Sequence, residues 1–267
     1  MTILHSSLPF SPWTTPAGRR LPGIMPLDRA DWLLCDEVYA EQMAERAALL
    51  AARSADVLAT QPEAEPAALE LLDEILRDLP ALGFEIRGDH ILRPDGQTVA
   101  LDKTRPLWTI GHLLQADFCL LQKPKEASEH VLTGAVLCFP SSWTLSEKLG
   151  KPLMRIHVPV DSYDTQMGAR VQRMFDAMRP EQPLWRANVL RYTNPALYQP
   201  QPEFAPKEKR DGGAYIRSER QCLLKLPRTG AVVFSIHTAQ VSRDSLTEEQ
   251  RIALEGIETS AHSLVRQ

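Results

Sequence analysis

Residues 214–240, AYIRSERQCLLKLPRTGAVVFSIHTAQ, hold two strand-length apolar runs parted by Pro227-Arg228-Thr229-Gly230. A connection this short joins antiparallel strands only, because parallel neighbours need a crossover of a dozen or more residues. A second pair of runs, ADFCLLQK at 116–123 and EHVLTGAVLCFP at 129–140, is joined by the polar stretch KPKEASE and reads the same way. Two hairpins therefore commit the chain to an antiparallel sheet, and the remaining segments must cover its faces.

Those segments are mostly helical in pattern. Residues 1–27 are rich in Pro and Ser without a period and predict an extended arm. From Asp31 to Leu58, Trp32, Leu33, Val38, Met43, Leu49 and Leu50 recur near helical spacing. Glu65 to Leu79 repeats the pattern with Leu69, Leu72, Ile75, Leu76 and Leu79, and Pro62, Pro66 and Pro80 punctuate the two. Phe84 to Asp102 turns to β grammar, with turn signals at Arg87-Gly88-Asp89 and Pro94-Asp95-Gly96. Leu107–Leu114 is a short helix candidate. Thr144 and Glu147 have capping-box spacing before a brief helix that Gly150 and Pro152 end. A helix from Asp164 to Arg179 has Met167, Val171, Met174, Phe175 and Met178 inward. Residues 183–200, PLWRANVLRYTNPALYQP, give a mixed pattern, and Thr247–Val265 predicts a C-terminal helix. The expectation is α+β: a PAS-like antiparallel sheet with helices on one face, preceded by an α-helical N-terminal region and followed by a C-terminal helix. Residues 1–82 form the arm and helices that pack on a main domain of residues 83–267, and no internal repeat is visible.

Composition narrows the function classes. The chain has 267 residues, 43% apolar and 24% charged, with a net charge of −4. That balance lacks the basic footprint of phosphate binding, so nucleic acid is not expected as a partner. Cys35, Cys119, Cys138 and Cys222 form no CxxC pair and read as small buried hydrophobes in a reducing compartment. The N-terminus lacks the order of a signal peptide, and no apolar stretch approaches the ~20 residues of a membrane span. A cytoplasmic protein with no membrane partner is expected. GxGxxG, P-loop, GxSxG and HExxH motifs are all absent.

Two stretches carry candidate chemistry. His157 lies in the apolar segment IHVPV, 156–160. It reads as a core histidine bonded to backbone, as a metal or haem ligand, or as a general base. As a haem ligand it needs an apolar slot, for which Ile156, Val158 and Val160 are candidates, with Pro159 stiffening the backbone. The second stretch is YIRSERQCLLKLP, 215–227. Strand alternation sends Arg217, Glu219 and Gln221 to one face and Ser218, Arg220 and Cys222 to the other. That face is either solvated or the polar wall of a pocket, with Arg to pair a carboxylate and Glu to handle a proton or an ammonium. His237 stands on the following strand and reads as the partner of a sheet neighbour. Trp143, Trp185, Asn188 and Arg191 lie where loops approach the same space.

Three motifs in this order, FPSSWTLSEKLGKPLMRIHVPV, PLWRANVLRY and RSERQCLLKLPRTGAVVFSIHT, resemble the haem-dependent oxidative N-demethylase family over roughly residues 84–237. The resemblance implies a PAS-type fold that binds haem b and oxidatively demethylates a small secondary amine, as dimethylamine is converted to methylamine and formaldehyde. It implies O2 as oxidant and electrons from NADPH through a separate flavin and iron–sulfur reductase. Carried over by position, it implies His157 as axial iron ligand. Arg217, Glu219, Arg220 and Gln221 would line the pocket, with Arg217 or Arg220 on a propionate and Glu219 facing the substrate ammonium. At the position of His237 the family often has Arg, so this histidine is either a departure in a haem contact or a rival ligand. Two further readings stand beside the enzyme: a haem-binding sensor or carrier without turnover, and a haem-free protein binding another small ligand.

Overall fold

The computed structural model describes residues 2–19, 23–158, 165–206 and 212–265. In chain order its elements are α1 (Pro16–Arg19), β1 (Met25–Pro26), α2 (Tyr39–Ala52), α3 (Ser54–Val57), β2 (Leu58–Thr60) and α4 (Glu65–Asp78). Next come β3 (Glu85–Arg87), β4 (His90–Leu92), β5 (Thr98–Ala100), α5 (Pro106–Gly111), β6 (Asp117–Gln122) and β7 (Val131–Val136). Then follow α6 (Leu145–Lys148), α7 (Leu153–Ile156), α8 (Thr165–Ala177), β8 (Leu184–Tyr192), β9 (Tyr215–Lys225), β10 (Val232–Ser242) and α9 (Glu248–Val265).

The main sheet has seven strands in the order β1-β8-β9-β10-β6-β7-β2, and β3-β4-β5 form a separate small sheet. Every pairing in both is antiparallel. Both expected hairpins form. β9 and β10 pair over eleven residues, from Tyr215↔Ser242 to Lys225↔Val232. Gly230 closes their turn at φ 71°, a left-handed conformation that a side chain disfavours. Leu226 accepts the Gly230 amide across that turn. β6 and β7 pair with an irregularity between Leu120 and Leu121.

Three elements depart from the sequence reading. The mixed stretch after Pro183 is the nine-residue strand β8, paired along β9 from Leu184↔Leu223 to Tyr192↔Tyr215. The first long helix starts eight residues later than its pattern, at Tyr39, and ends at Ala52; α3 then leads into β2, which pairs with β7. An Asp36 turn sets that start: its carboxylate accepts from the Val38 amide and its carbonyl from Tyr39. Thr144 and Glu147 do not form a capping box. Thr144 Oγ1 donates to Glu147 Oε2 instead, and that carboxylate receives the backbone amide of Glu203. The reciprocal cap appears on α9, where Thr247 Oγ1 accepts from Gln250 N and Gln250 Oε1 accepts from Thr247 N.

Helices cover both faces of the sheet. On one face, α2, α4 and α5 pack on Phe118, Leu120, Val233, Cys222 and Leu224, while α9 and the N-terminal arm cover Ile216, Ala239 and Val241. On the other, α6, α7 and α8 pack on Cys119, Leu121, Leu223, Val232 and Phe234. The expectation of helices on one face fits only the segment between the hairpins; the N-terminal third occupies the opposite side. A fully buried Leu or Ile contributes about 1.5–3 kcal/mol. The fully buried Leu71, Leu72 and Ile75 of α4 thus anchor that helix firmly. α7 and α8 meet closely at Gly168, where an added Cβ would lie 2.0 Å from Met154 Sδ.

Glu70 of α4 is 1% exposed and ties that helix to the β9–β10 turn by accepting the amides of Arg228 and Thr229 at 2.6 and 2.7 Å. Burial pushes its carboxyl up, but the bonds from Thr229 and Arg228 outweigh it and hold it below its ordinary value. A carboxyl lowered by folding stabilises above the unfolded range near pH 4.3, and that contribution is lost as pH falls through the folded value. Glu70→Gln should therefore cost about 1–2 kcal/mol at pH 7. The deficit, read from urea midpoints, should shrink as pH falls toward 3.

Candidate active site

β9 has both faces buried, so its polar side chains must find partners inside the protein. Arg217 is wholly buried. Its Nε donates to Glu219 Oε1 at 3.0 Å, its Nη1 to the Leu197 carbonyl at 3.0 Å, and its Nη2 to the Phe139 carbonyl. Glu219 Oε2 accepts from Asn188 Nδ2 at 2.8 Å and Gln221 Nε2 at 3.3 Å, and Asn188 Oδ1 takes the Glu219 amide at 2.9 Å. Arg217, Glu219, Gln221 and Asn188 thus form one connected polar group. Leu223, two residues beyond Gln221, shares a packed cluster with Leu153 and Ile156 of α7, so this is the face that α6–α8 cover.

His157 follows α7 directly on that side. Its backbone amide bonds the Leu153 carbonyl at 3.1 Å, and its Nδ1 donates to the same oxygen at 2.8 Å. A carbonyl only accepts, so Nδ1 carries the proton and Nε2 the lone pair of the neutral ring. Burial lowers the His157 pKa below its ordinary value, opposed by the Leu153 bond and aided by the Lys148 charge. The ring is therefore held neutral, in one tautomer, by a backbone anchor. This is the arrangement that iron-ligating histidines use to fix ring orientation. Ile156 packs in the apolar cluster beside it, whereas Val158 is 56% exposed and lines no slot. Pro159 and Val160 lie outside the described residues, as does Asp164.

A buried ion pair steadies this turn. Lys148 Nζ donates to the Ile156 carbonyl at 2.6 Å and pairs with Glu203, which also receives Arg155 Nη1 at 2.8 Å. Thr144 and Glu147 link to the same loop, through the Gln201 carbonyl and the Glu203 amide. The end of α7 is thereby tied to both the preceding helix and residues 201–203.

Arg220 and His237 lie on the opposite face, as the alternation and the register His237↔Arg220 require. Arg220 donates to the carbonyls of Trp32 (3.0 Å) and Asp31 (2.6 Å), with its guanidinium 5.2 Å from the Trp185 ring. His237 Nε2 donates to Asp36 Oδ2 at 2.8 Å, and His5 Nε2 donates to the same oxygen at 2.8 Å. Burial pushes the Asp36 carboxyl up, but the bonds from His237, His5 and Gln115 overcome it and hold it far below the carboxylate range. Both residues therefore fasten the N-terminal segment to the sheet. Trp143 packs under α6–α8 and Trp185 against the N-terminal core.

Sequence reasoning missed Arg186. It is a half-buried β8 residue directly opposite Gln221, and its Nε is shut off from solvent without a partner among the described residues. The signal was present in the alternation of Arg186, Asn188 and Leu190, once residues 184–192 are read as a strand.

An antiparallel sheet with a neutral, backbone-anchored imidazole and a carboxylate-centred polar group on one covered face defines a candidate cofactor site of the single-histidine type. The family model for haem-dependent oxidative N-demethylase, alpha subunit-like, matches residues 23–262, and the chain belongs to that family. The match reaches well beyond the three motifs and takes in the N-terminal helices. No described helix is long and apolar enough to cross a membrane.

Removing the anion from a buried pair leaves a charge without compensation, typically costing about 3 kcal/mol. Glu203→Gln should lower the thermal midpoint and speed amide exchange over residues 153–157 relative to the sheet amides.

Proposed function

We propose that the chain is the haem-binding component of an oxidative N-demethylase acting on a small secondary amine of the dimethylamine kind. The observation that carries this reading is His157, neutral and pinned through Nδ1 to Leu153, in a chain of the haem-dependent demethylase family. Five long strands, with α6–α8 inserted between the two hairpins over one face, support the PAS-type reading. The donor set fits haem b: one imidazole whose tautomer places the lone pair on Nε2, on a face whose covering layer is largely apolar. When bound, the haem supplies activation of O2 and oxidation of the N-methyl carbon, with electrons from a separate flavin and iron–sulfur reductase.

The chain's own residues bind and orient. His157 would hold the iron through Nε2. Glu219 presents a carboxylate to the alkylammonium; three donors already fix its position, and an acceptor site on Oε1 is left for a substrate N–H. Arg217 positions Glu219 and ties it to the Leu197 and Phe139 carbonyls, so it acts through Glu219. Gln221 and Asn188 hold the other oxygen. In this reading the cofactor contacts fall to the face of His157, and Arg220 and His237 serve the attachment of the N-terminal segment. The products expected of such an N-methyl oxidation are formaldehyde and the shorter amine.

Haem reconstitution of the purified protein should give a Soret band that His157→Ala shifts and weakens, while His237→Ala leaves its position unchanged. With NADPH and a competent reductase, formaldehyde should appear from dimethylamine. Glu219→Gln should lower kcat/KM about 10–100-fold, the worth of one charge-assisted hydrogen bond. Absence of a Soret band would end both haem readings, and a band without formaldehyde would favour the sensor or carrier.

A further inference from the structure

Arg186 is a cation on the His157 face that the described contacts leave without an anion of its own. Arg217, on the same face of β9 but opposite Leu190, is consumed by Glu219 and two backbone carbonyls. Glu219 is held in turn by Arg217, Asn188 and Gln221, and its charge is paired with Arg217. Arg186 projects from β8 beside that group, in register with Gln221 and two residues from Asn188. Its Nε lies out of reach of solvent with nothing to donate to. Burial lowers its pKa below the ordinary value, and the nearby Glu219 charge opposes this only in part. Among the described residues the carboxylate that acts on Arg186 is Glu219, which Arg217 already pairs with. A guanidinium nitrogen buried without a partner is costly, and a bound anion would repay that cost. The planar fork of Arg favours a carboxylate held through two parallel bonds.

We propose that Arg186 is a carboxylate-binding residue of this face, which takes a carboxylate borne either by the cofactor's porphyrin edge or by a zwitterionic N-methylated substrate. The assignment rests on the haem-demethylase reading for these two sources. It moves the propionate role away from Arg217 and Arg220, whose donors are spent on the protein itself. It also widens the substrate class. An ammonium at Glu219 and a carboxylate at Arg186 together suit an N-methyl amino acid, whereas dimethylamine uses Glu219 alone.

The test compares wild type with Arg186→Gln and Arg186→Lys. Because the Arg186 side chain makes no hydrogen bond to the described residues, apo Arg186→Gln should unfold at the same temperature as wild type or higher. Apo protein is titrated with haem b and with its dimethyl ester, followed at the Soret band. If the carboxylate is the cofactor's, Arg186→Gln weakens haem b about tenfold or more, Arg186→Lys less, and the ester binds all three alike. If it belongs to the substrate, haem affinity is unchanged. N-methylglycine then loses about tenfold or more in its perturbation of the haem spectrum of Arg186→Gln, and dimethylamine loses nothing. No change in either arm overturns the proposal. Should wild type take up no haem, the haem reading fails by itself, and a haem-free arm decides Arg186. Sodium propionate, against sodium chloride at equal ionic strength, should raise the thermal midpoint of apo wild type and not of Arg186→Gln; an equal response in both overturns the assignment.

Discussion

The Arg217–Glu219 ion pair, buried in the middle of β9, is the constraint to which the rest of the structure answers. A central strand covered on both faces has no water to solvate charged side chains, so each must be neutralised by protein groups. Arg217 spends its fork on Glu219 and on the carbonyls of Leu197 and Phe139, and so gathers three separate loops and strands around one guanidinium. Glu219 then draws in Asn188 from β8 and Gln221 from its own strand. The result is a polar island inside an otherwise apolar layer, fixed in place before any ligand arrives.

The same strand divides labour between its faces. Alternation places Arg220 beneath the N-terminal segment, where it bonds the carbonyls of Asp31 and Trp32, and puts His237 beside it on Asp36. These contacts let residues before α2 lie across the sheet without leaving carbonyls unsatisfied. The other face is left to α6–α8, two of which are single turns held by tertiary contacts rather than by their own propensity. Lys148, Glu203 and Arg155 do that holding, and the outcome is a histidine at the end of α7 with its ring orientation set by the backbone.

Much of this was legible in the sequence, for identifiable reasons. The hairpins β6–β7 and β9–β10 are marked by turn residues and by run length, α4 by its periodicity and flanking prolines, and α9 by its Thr247 cap. The facing of Arg217, Glu219 and Gln221, opposite to Arg220, follows from the period of a strand alone. β8 was hidden because Arg186, Asn188 and Arg191 break the apolar signal of a strand whose polar face serves the site. Arg186 was lost with it. β2 is three residues long and continues a helical run, so no local pattern marks it. That helices cover both faces depends on the packing of the N-terminal third, which no short-range pattern encodes. The anchor of His157 on Leu153 arises from one turn of helix held by Glu203, forty-six residues further along the chain.

The account stands most directly on which nitrogen meets the iron. A crystal structure of the haem-reconstituted protein measures this. The account predicts iron bonded to Nε2 of His157, with the porphyrin on the face that carries Glu219 and Nδ1 still donating to the Leu153 carbonyl. Iron bonded to His237, or a porphyrin seated on the face beneath the N-terminal segment, would contradict it.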